Sequence, residues 1–234
     1  MLDRMKSLVP KSLKPRLKHA LGIPTMESRL RNMKAAGFRC SGAVDVGAYS
    51  GEWAQAAHSV FGCPVLMFEP QPSQHATLEE LAARSPFELE RVALSARPGH
   101  ARFLLQETNS RIVASEQVDG PMIEVPVDTL DAVLARRPFE ANLLKVDVQG
   151  FELDVLSGAE ESLGQFEVVI LEVSIIRIGP VPVFREVIEF MAQRRFGLYD
   201  IIPMYYRPLD AALWQCDAFF VRDASTLVAS NRWN

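Results

Sequence analysis

Short apolar runs alternate along this chain with amphipathic segments of roughly 10–15 residues, and that alternation leaves few architectures open. Thr25 opens a first helix, with Met26, Leu30 and Met33 on one face and Gly37 past its end. Strands are expected over 42–46, 64–68 and 89–94, separated by helices over 52–61 and 73–84. Two further strands, 100–105 and 122–127, flank a polar loop over 106–121. Asp128 is expected to cap a helix that ends before Pro138, followed by a strand over 143–148 and a helix over 152–163. A β-rich run over 166–173 precedes the helical stripe Phe184, Val187, Ile188 and Met191, and the last strands fall at 198–202 and 217–221. Repeated βαβ units require an α/β fold, a mostly parallel sheet covered on both faces. Ligands of such sheets bind beyond the carboxyl ends of the strands.

Composition narrows the class. Hydrophobic residues make up 48% and charged residues 23%, enough for a core and too apolar for wholesale disorder. No uninterrupted apolar stretch of about 20 residues exists, so no transmembrane helix is expected. The net charge of −4 is unevenly spread: residues 1–39 carry ten Lys and Arg against two acids, whereas the remainder carries fifteen against twenty-seven. An acidic body argues against a nucleic-acid partner. Residues 1–24, broken by Pro10, Pro15 and Pro24, read as a basic extension preceding one domain over 25–234. The extension is either a weak contact to an anionic membrane surface or simply solvated chain. Cys40, Cys63 and Cys216 form no CxxC pair, which argues against a disulfide framework or a zinc site and suits a cytoplasmic location.

The informative residues stand at the strand ends. The first strand runs into Asp45-Val46-Gly47-Ala48-Tyr49-Ser50-Gly51 and then a helix. The glycines allow a tight turn and close approach of a ligand to backbone N–H groups. This is neither a dinucleotide fingerprint nor a P-loop, and Asp45 would repel a pyrophosphate while attracting an ammonium or sulfonium group. Glu69, 22 residues after Gly47, ends the second strand, where a carboxylate can accept hydrogen bonds from both ribose hydroxyls. Together these residues favour an adenosine-bearing, cationic cofactor without phosphate, a description that S-adenosylmethionine meets. Asp147 ends the fourth strand and Glu172 the fifth, with Asp217 either a third acid at that rim or the partner of a surface arginine. Asp154 reads as a complement to a helix dipole, which is also the plainest reading of Glu152.

In this order DVGAYSGEW, FEPQP, TLD, LLKVDVQGFELDVLSGA, LEVS and QCDAFFV resemble the FkbM family of S-adenosylmethionine-dependent methyltransferases, over residues 44–221. The resemblance implies a class I, Rossmann-like three-layer sandwich with a seven-stranded, mostly parallel sheet whose last strand, 217–221, is antiparallel. It implies that Asp45, Gly47, Tyr49 and Gly51 surround the methionine part of the cofactor. Glu69 would hold the ribose, Pro70 would lie against the adenine, and Asp147 would face the methionine end or the acceptor. Tyr49 stands where the wider class commonly has glycine. Members mostly methylate hydroxyls of sugars and polyketide-type natural products, so the implied partner is a small-molecule or glycosyl acceptor.

Asp147 or Glu172 is then the expected catalytic base, directly or through Mg²⁺ or another divalent cation held between them. The competing reading is that both only orient cofactor and loop. None of the four histidines pairs at metal-ligand spacing. Tyr205 and Tyr206, expected in a loop over 203–208, are candidates for acceptor contact, and Asn109, Ser110 and Arg111 for a lid. Trp53 is expected to pack. A catalytically silent binding module or a nucleotide-dependent oxidoreductase are the alternatives.

Overall fold

The computed structural model describes residues 24–84, 86–106, 110–113, 119–179, 181–230 and 232–233. The basic extension, apart from Pro24, and Asn109 of the expected lid lie outside the described residues. In chain order the strands are β1 (Ala43–Val46), β2 (Val65–Phe68), β3 (Phe87–Glu90), β4 (Ala93–Leu94), β5 (Gly99–Leu104) and β6 (Arg111–Ile112). They continue as β7 (Met122–Asp128), β8 (Leu143–Val146), β9 (Val168–Ser174), β10 (Phe196–Tyr206) and β11 (Leu213–Arg222). The helices are α1 (Met26–Ala35), α2 (Glu52–Phe61), α3 (Pro72–Ala82), α4 (Leu130–Arg136), α5 (Glu152–Ser157) and α6 (Phe184–Gln193).

The main sheet has seven strands in the order β10-β11-β9-β8-β1-β2-β3. β1, β2, β3, β8 and β9 pair in parallel, while β11 runs antiparallel to both neighbours, as the family resemblance implies for the last strand. Every residue of β1, β2, β8 and β9 is buried, because helices cover both faces. On one face Leu30 of α1, Ala57 of α2 and Leu78 of α3 pack over Ala43, Met67 and Ile170. On the other, Val133 of α4, Leu156 of α5 and Met191 of α6 pack over Val44, Val146 and Leu171. Thr25 caps α1 through a capping box with Ser28, and Pro72 opens α3. Among the described residues no helix is long and apolar enough to cross a membrane.

Several boundaries differ from expectation. The run 89–94 is split: β3 ends at Glu90, and Ala93–Leu94 pairs instead with Val127–Asp128 in a second sheet, ordered β4-β7-β5-β6. That small sheet has its own core of Ala93, Phe103, Val125 and Val127. Thr129, not Asp128, caps α4: its hydroxyl accepts the Ala132 N–H at 3.1 Å, while Asp128 receives the Thr129 N–H and Arg136. The helix expected over 152–163 stops at Ser157, and Gly158, its C-cap, passes so close to the Ser95 carbonyl that a Cβ there would lie 2.1 Å from its oxygen. Asp131 then accepts the N–H groups of Glu161 and Ser162, fixing a 3₁₀ turn at Ser162–Gln165. Tyr205 and Tyr206 belong to β10, which is longer than expected because β11 pairs with it as far as Tyr206.

Candidate active site

β1 delivers the chain into the glycine turn, and the turn is tied to β2. The N–H groups of Gly47 and Ala48 both donate to the Phe68 carbonyl at 3.0 Å. Gly47 has φ +81, and a Cβ on it would stand 2.0 Å from the Asp147 carbonyl oxygen, so only glycine fits between the ends of β1 and β8. Tyr49 is left-handed, φ 47, which explains why a glycine suits this position; the turn aims its N–H at Glu69 Oε2, 2.7 Å away. The Gln71 N–H donates to Glu69 Oε1 at 2.8 Å. Two amides therefore aim this carboxylate, although burial first, aided by the charges of Asp45 and Asp147, pushes its pKa up to about 7. Gly47, Tyr49, Glu69 and Pro70 line one cleft. Gly51 does not: it caps α2 with φ +76, facing Leu78 and Leu81.

Strand register assembles the acids. Asp45 lies opposite Lys145 across β1 and β8, and Glu172 lies opposite Asp217 across β9 and β11. Asp147 follows Lys145 by two residues and so continues the same face. Lys145 Nζ is 3.0 Å from Asp147 Oδ2 and 3.8 Å from Asp45 Oδ1, with the Trp53 ring 6.0 Å away. Burial opposes its charge, but Asp147, Asp45 and Asp217 outweigh burial and hold the ammonium above the ordinary lysine range. Neither oxygen of the fully buried Asp45 has a well-aligned hydrogen-bond partner. Burial drives its pKa up to about 6, against the pull of Lys145 and, only slightly, of the Ala54 N–H, and with a push from Asp147.

Gln149 and Glu152 complete the arrangement. Gln149, left-handed at φ 58, donates its amide to Asp147 Oδ1 at 2.9 Å and to Glu172 Oε1 at 3.0 Å. Gln215 adds a bond to the same Glu172 oxygen at 3.1 Å. Burial, then the charges of Asp147, Asp217 and Glu152, push Glu172 up to about 8, and Asp217 is raised to about 7 by burial above all. Asp217 thus lies buried beside Glu172 without lining the cleft, and among the described residues it forms no ion pair with a surface arginine. Glu152, read from sequence as a dipole complement, is buried and accepts the N–H groups of Val148 and Gly150 at 3.2 and 3.0 Å. It shapes the turn that carries Asp147 and Gln149. The gap between Asp147 and Glu172, where a divalent cation was anticipated, is spanned by the Gln149 amide. Among the described residues no three His, Cys, Asp or Glu converge as a metal-ligating group.

Lys145, Gln149 and Gln215 escaped the sequence reading. A lysine inside an otherwise apolar strand, two residues before an acid, was the available signal for Lys145. The pairing of Gln149 with Glu172 had none, because it depends on which strand lies beside β8. Trp53 packs as expected, and His75 and His58 bond the carbonyls of Glu69 and Cys63.

The cleft, about 240 Å³, runs from Glu69 and Pro70 past Asp147, Gln149 and Glu172 to Met204 and Tyr205 of β10. The second sheet supplies Ala93, Phe103 and Ile112 to its wall, and Ser110 also lines it, whereas Tyr206 and Arg111 do not. Among the described residues no Lys, Arg or His lines the cleft. Glu69 and Glu172 in a described lining without cations, beside an Asp147 paired with the buried Lys145, and the backbone turn at Gly47 fit a cationic, phosphate-free adenosine cofactor.

Residues 45–198 match the family model of the methyltransferase FkbM domain. No curated protein matches the chain. Among solved structures, the ribosomal protein L11 methylase of Lactobacillus delbrueckii subsp. bulgaricus is 16% identical, with 84% of this chain and 77% of that one covered and a TM-score of 0.49. Aeropyrum pernix fibrillarin with bound S-adenosylmethionine is 12% identical (77% and 66% covered, TM-score 0.49). The N-methyltransferase NodS of Bradyrhizobium japonicum WM9, with S-adenosylhomocysteine, is 9% identical (84% and 85% covered, TM-score 0.49). Likenesses this distant carry no argument about the site. The family match spans residues 45–198, well over half of the chain, so the chain belongs to the FkbM family and is an S-adenosylmethionine-dependent methyltransferase.

Proposed function

We propose that the protein methylates a hydroxyl oxygen of an uncharged acceptor, of the sugar, glycoconjugate or natural-product kind. The observation that carries this reading is Glu172 beside Asp147 at a cleft whose described lining contains no cationic side chain, Lys145 lying buried behind Asp147. Such a cleft disfavours acceptors that bring a phosphate or carboxylate with them. Gly47, Tyr49, Glu69 and Pro70 would hold the cofactor, with Gly51 shaping the turn from behind and Asp45, fully buried and outside the cleft lining, acting beneath them. When bound, its sulfonium supplies an electrophilic methyl group. Glu69, aimed by two backbone amides, is ready to accept hydrogen bonds from vicinal hydroxyls.

Of the two candidate bases, Glu172 has the better chemistry. Asp147 has both oxygens engaged, one by Lys145 and one by Gln149. Both amides on Glu172 bond Oε1, and a pKa raised to about 8 places its proton affinity near working pH. Glu172 Oε2 would take the acceptor's proton while the apolar wall of Phe103, Phe151 and Tyr205 excludes water and holds the acceptor in line.

The test is methyl transfer to a panel of neutral hydroxylated acceptors and their phosphorylated counterparts, with wild type and Glu172→Gln. Turnover on neutral acceptors should fall in the variant by ~10²–10⁴-fold, with cofactor affinity by calorimetry unchanged. A variant that turns over normally, or loses affinity in step with turnover, removes Glu172 as the base. A preference for phosphorylated acceptors overturns the substrate class.

A further inference from the structure

At the end of the sheet away from the cleft, the fold joins two cysteines that lie 23 residues apart in sequence. Cys40 precedes β1 and Cys63 precedes β2, and their sulfurs are 3.3 Å apart, both free thiols. β1 and β2 begin side by side, with the Ala43 N–H on the Pro64 carbonyl at 2.9 Å, so the approach follows from strand pairing. Each cysteine is also held from its own side. Asn142 accepts the Ser41 N–H at 2.9 Å and donates to the Arg39 carbonyl at 2.8 Å, bracketing Cys40. Cys63 sits between the left-handed Gly62 that ends α2 and Pro64, and its carbonyl bonds His58 at 2.9 Å. Cys63 is buried, whereas Cys40 is partly exposed.

We propose that Cys40 and Cys63 are a built-in site of reversible thiol oxidation, closing a disulfide with each other while a small-molecule disulfide such as oxidised glutathione is reduced. The accessible Cys40, its proton taken by the Cys63 sulfur to which it donates, attacks one sulfur of the reagent. The reagent's S–S bond breaks, its first half leaves as a thiol, and Cys40 is left in a mixed disulfide. Cys63, already in contact, then attacks the Cys40 sulfur, expelling the second half as a thiol. One reagent disulfide is reduced to two thiols, two cysteine thiols become one disulfide, and the two protons go to the leaving thiols. The resulting ring encloses β1, the glycine turn and α2, so the bond staples the segment that carries Asp45 and Gly47 without entering the cleft. The third cysteine, Cys216, lies buried in the opposite core layer and takes no part.

The experiment incubates the native, full-length protein with oxidised glutathione, followed by peptide mapping, thiol titration and thermal melting. The expected product links Cys40 to Cys63, lowers the thiol titre from three per chain to one, and melts on the order of 5 °C higher, because the closed ring restricts the unfolded chain. Dithiothreitol should reverse all three changes. Cys63→Ser should stop at glutathione bound to Cys40, and Cys216→Ser should behave as wild type. Persistence of both thiols, a stable mixed disulfide on wild-type Cys40, or a bridge involving Cys216 would each overturn the proposal.

Discussion

Replacing Lys145 by Met tests whether this side chain is the counter-charge on which the acidic row depends. Lys145 is buried, 3.0 Å from one oxygen of Asp147 and 3.8 Å from one of Asp45. Removing one member of a buried pair typically costs ~3–5 kcal/mol, since the other charge is left unpaired. Here the cost has a ceiling, because a stranded carboxylate can take up a proton. From an ordinary aspartate value, protonation at pH 7 costs about three units at 1.36 kcal/mol each, or ~4 kcal/mol. At pH 5 the same escape costs only ~1.5 kcal/mol. The variant's folded carboxylates have raised pKa values, so its stability deficit is small at low pH and grows as pH rises through them. Urea unfolding of wild type, Lys145→Met and Lys145→Arg at pH 5 and pH 7 measures this directly from midpoints and slopes. A deficit of ~3–4 kcal/mol at pH 7 that shrinks by about half at pH 5 is expected, with Arg restoring part of it. A deficit under ~1 kcal/mol at pH 7, or one equal at both pH values, would refute the reasoning.

Two further outcomes follow from the same geometry. Glu69→Ala removes a carboxylate aimed by the Tyr49 and Gln71 amides, and charged hydrogen bonds are worth ~1.5–3 kcal/mol each, so S-adenosylmethionine affinity by calorimetry should fall at least ~10-fold; unchanged affinity would take Glu69 out of the cofactor site. Asp45, Glu69, Glu152, Asp217 and Glu172 all have raised folded pKa values, about 6, 7, 7, 7 and 8. Between pH ~4.5 and 8 the folded chain therefore binds more protons than the unfolded one, and the stability of the cofactor-free protein should fall as pH rises through this window. A stability that rises from pH 5.5 to pH 8 would contradict the burial of these acids.

What the sequence by itself determined is the local and periodic part of this protein. Apolar alternation carried the βαβ order, and glycines with acids at strand ends marked Asp45, Gly47, Glu69, Asp147 and Glu172, because a parallel sheet places its strand ends at one edge. Wherever an outcome depended on a distant partner, periodicity was blind. β4 left the main sheet to pair with Val127–Asp128, and α5 stopped at Ser157, where Gly158 meets the distant Ser95 carbonyl. Asp131 of the TLD motif turned out to cap a 3₁₀ turn. Only strand order could place Gln149 between two acids, Lys145 against Asp45, and Cys40 against Cys63. Local sequence sets which element forms and where it ends; which side chains then share one buried space is decided by packing between segments far apart in the chain.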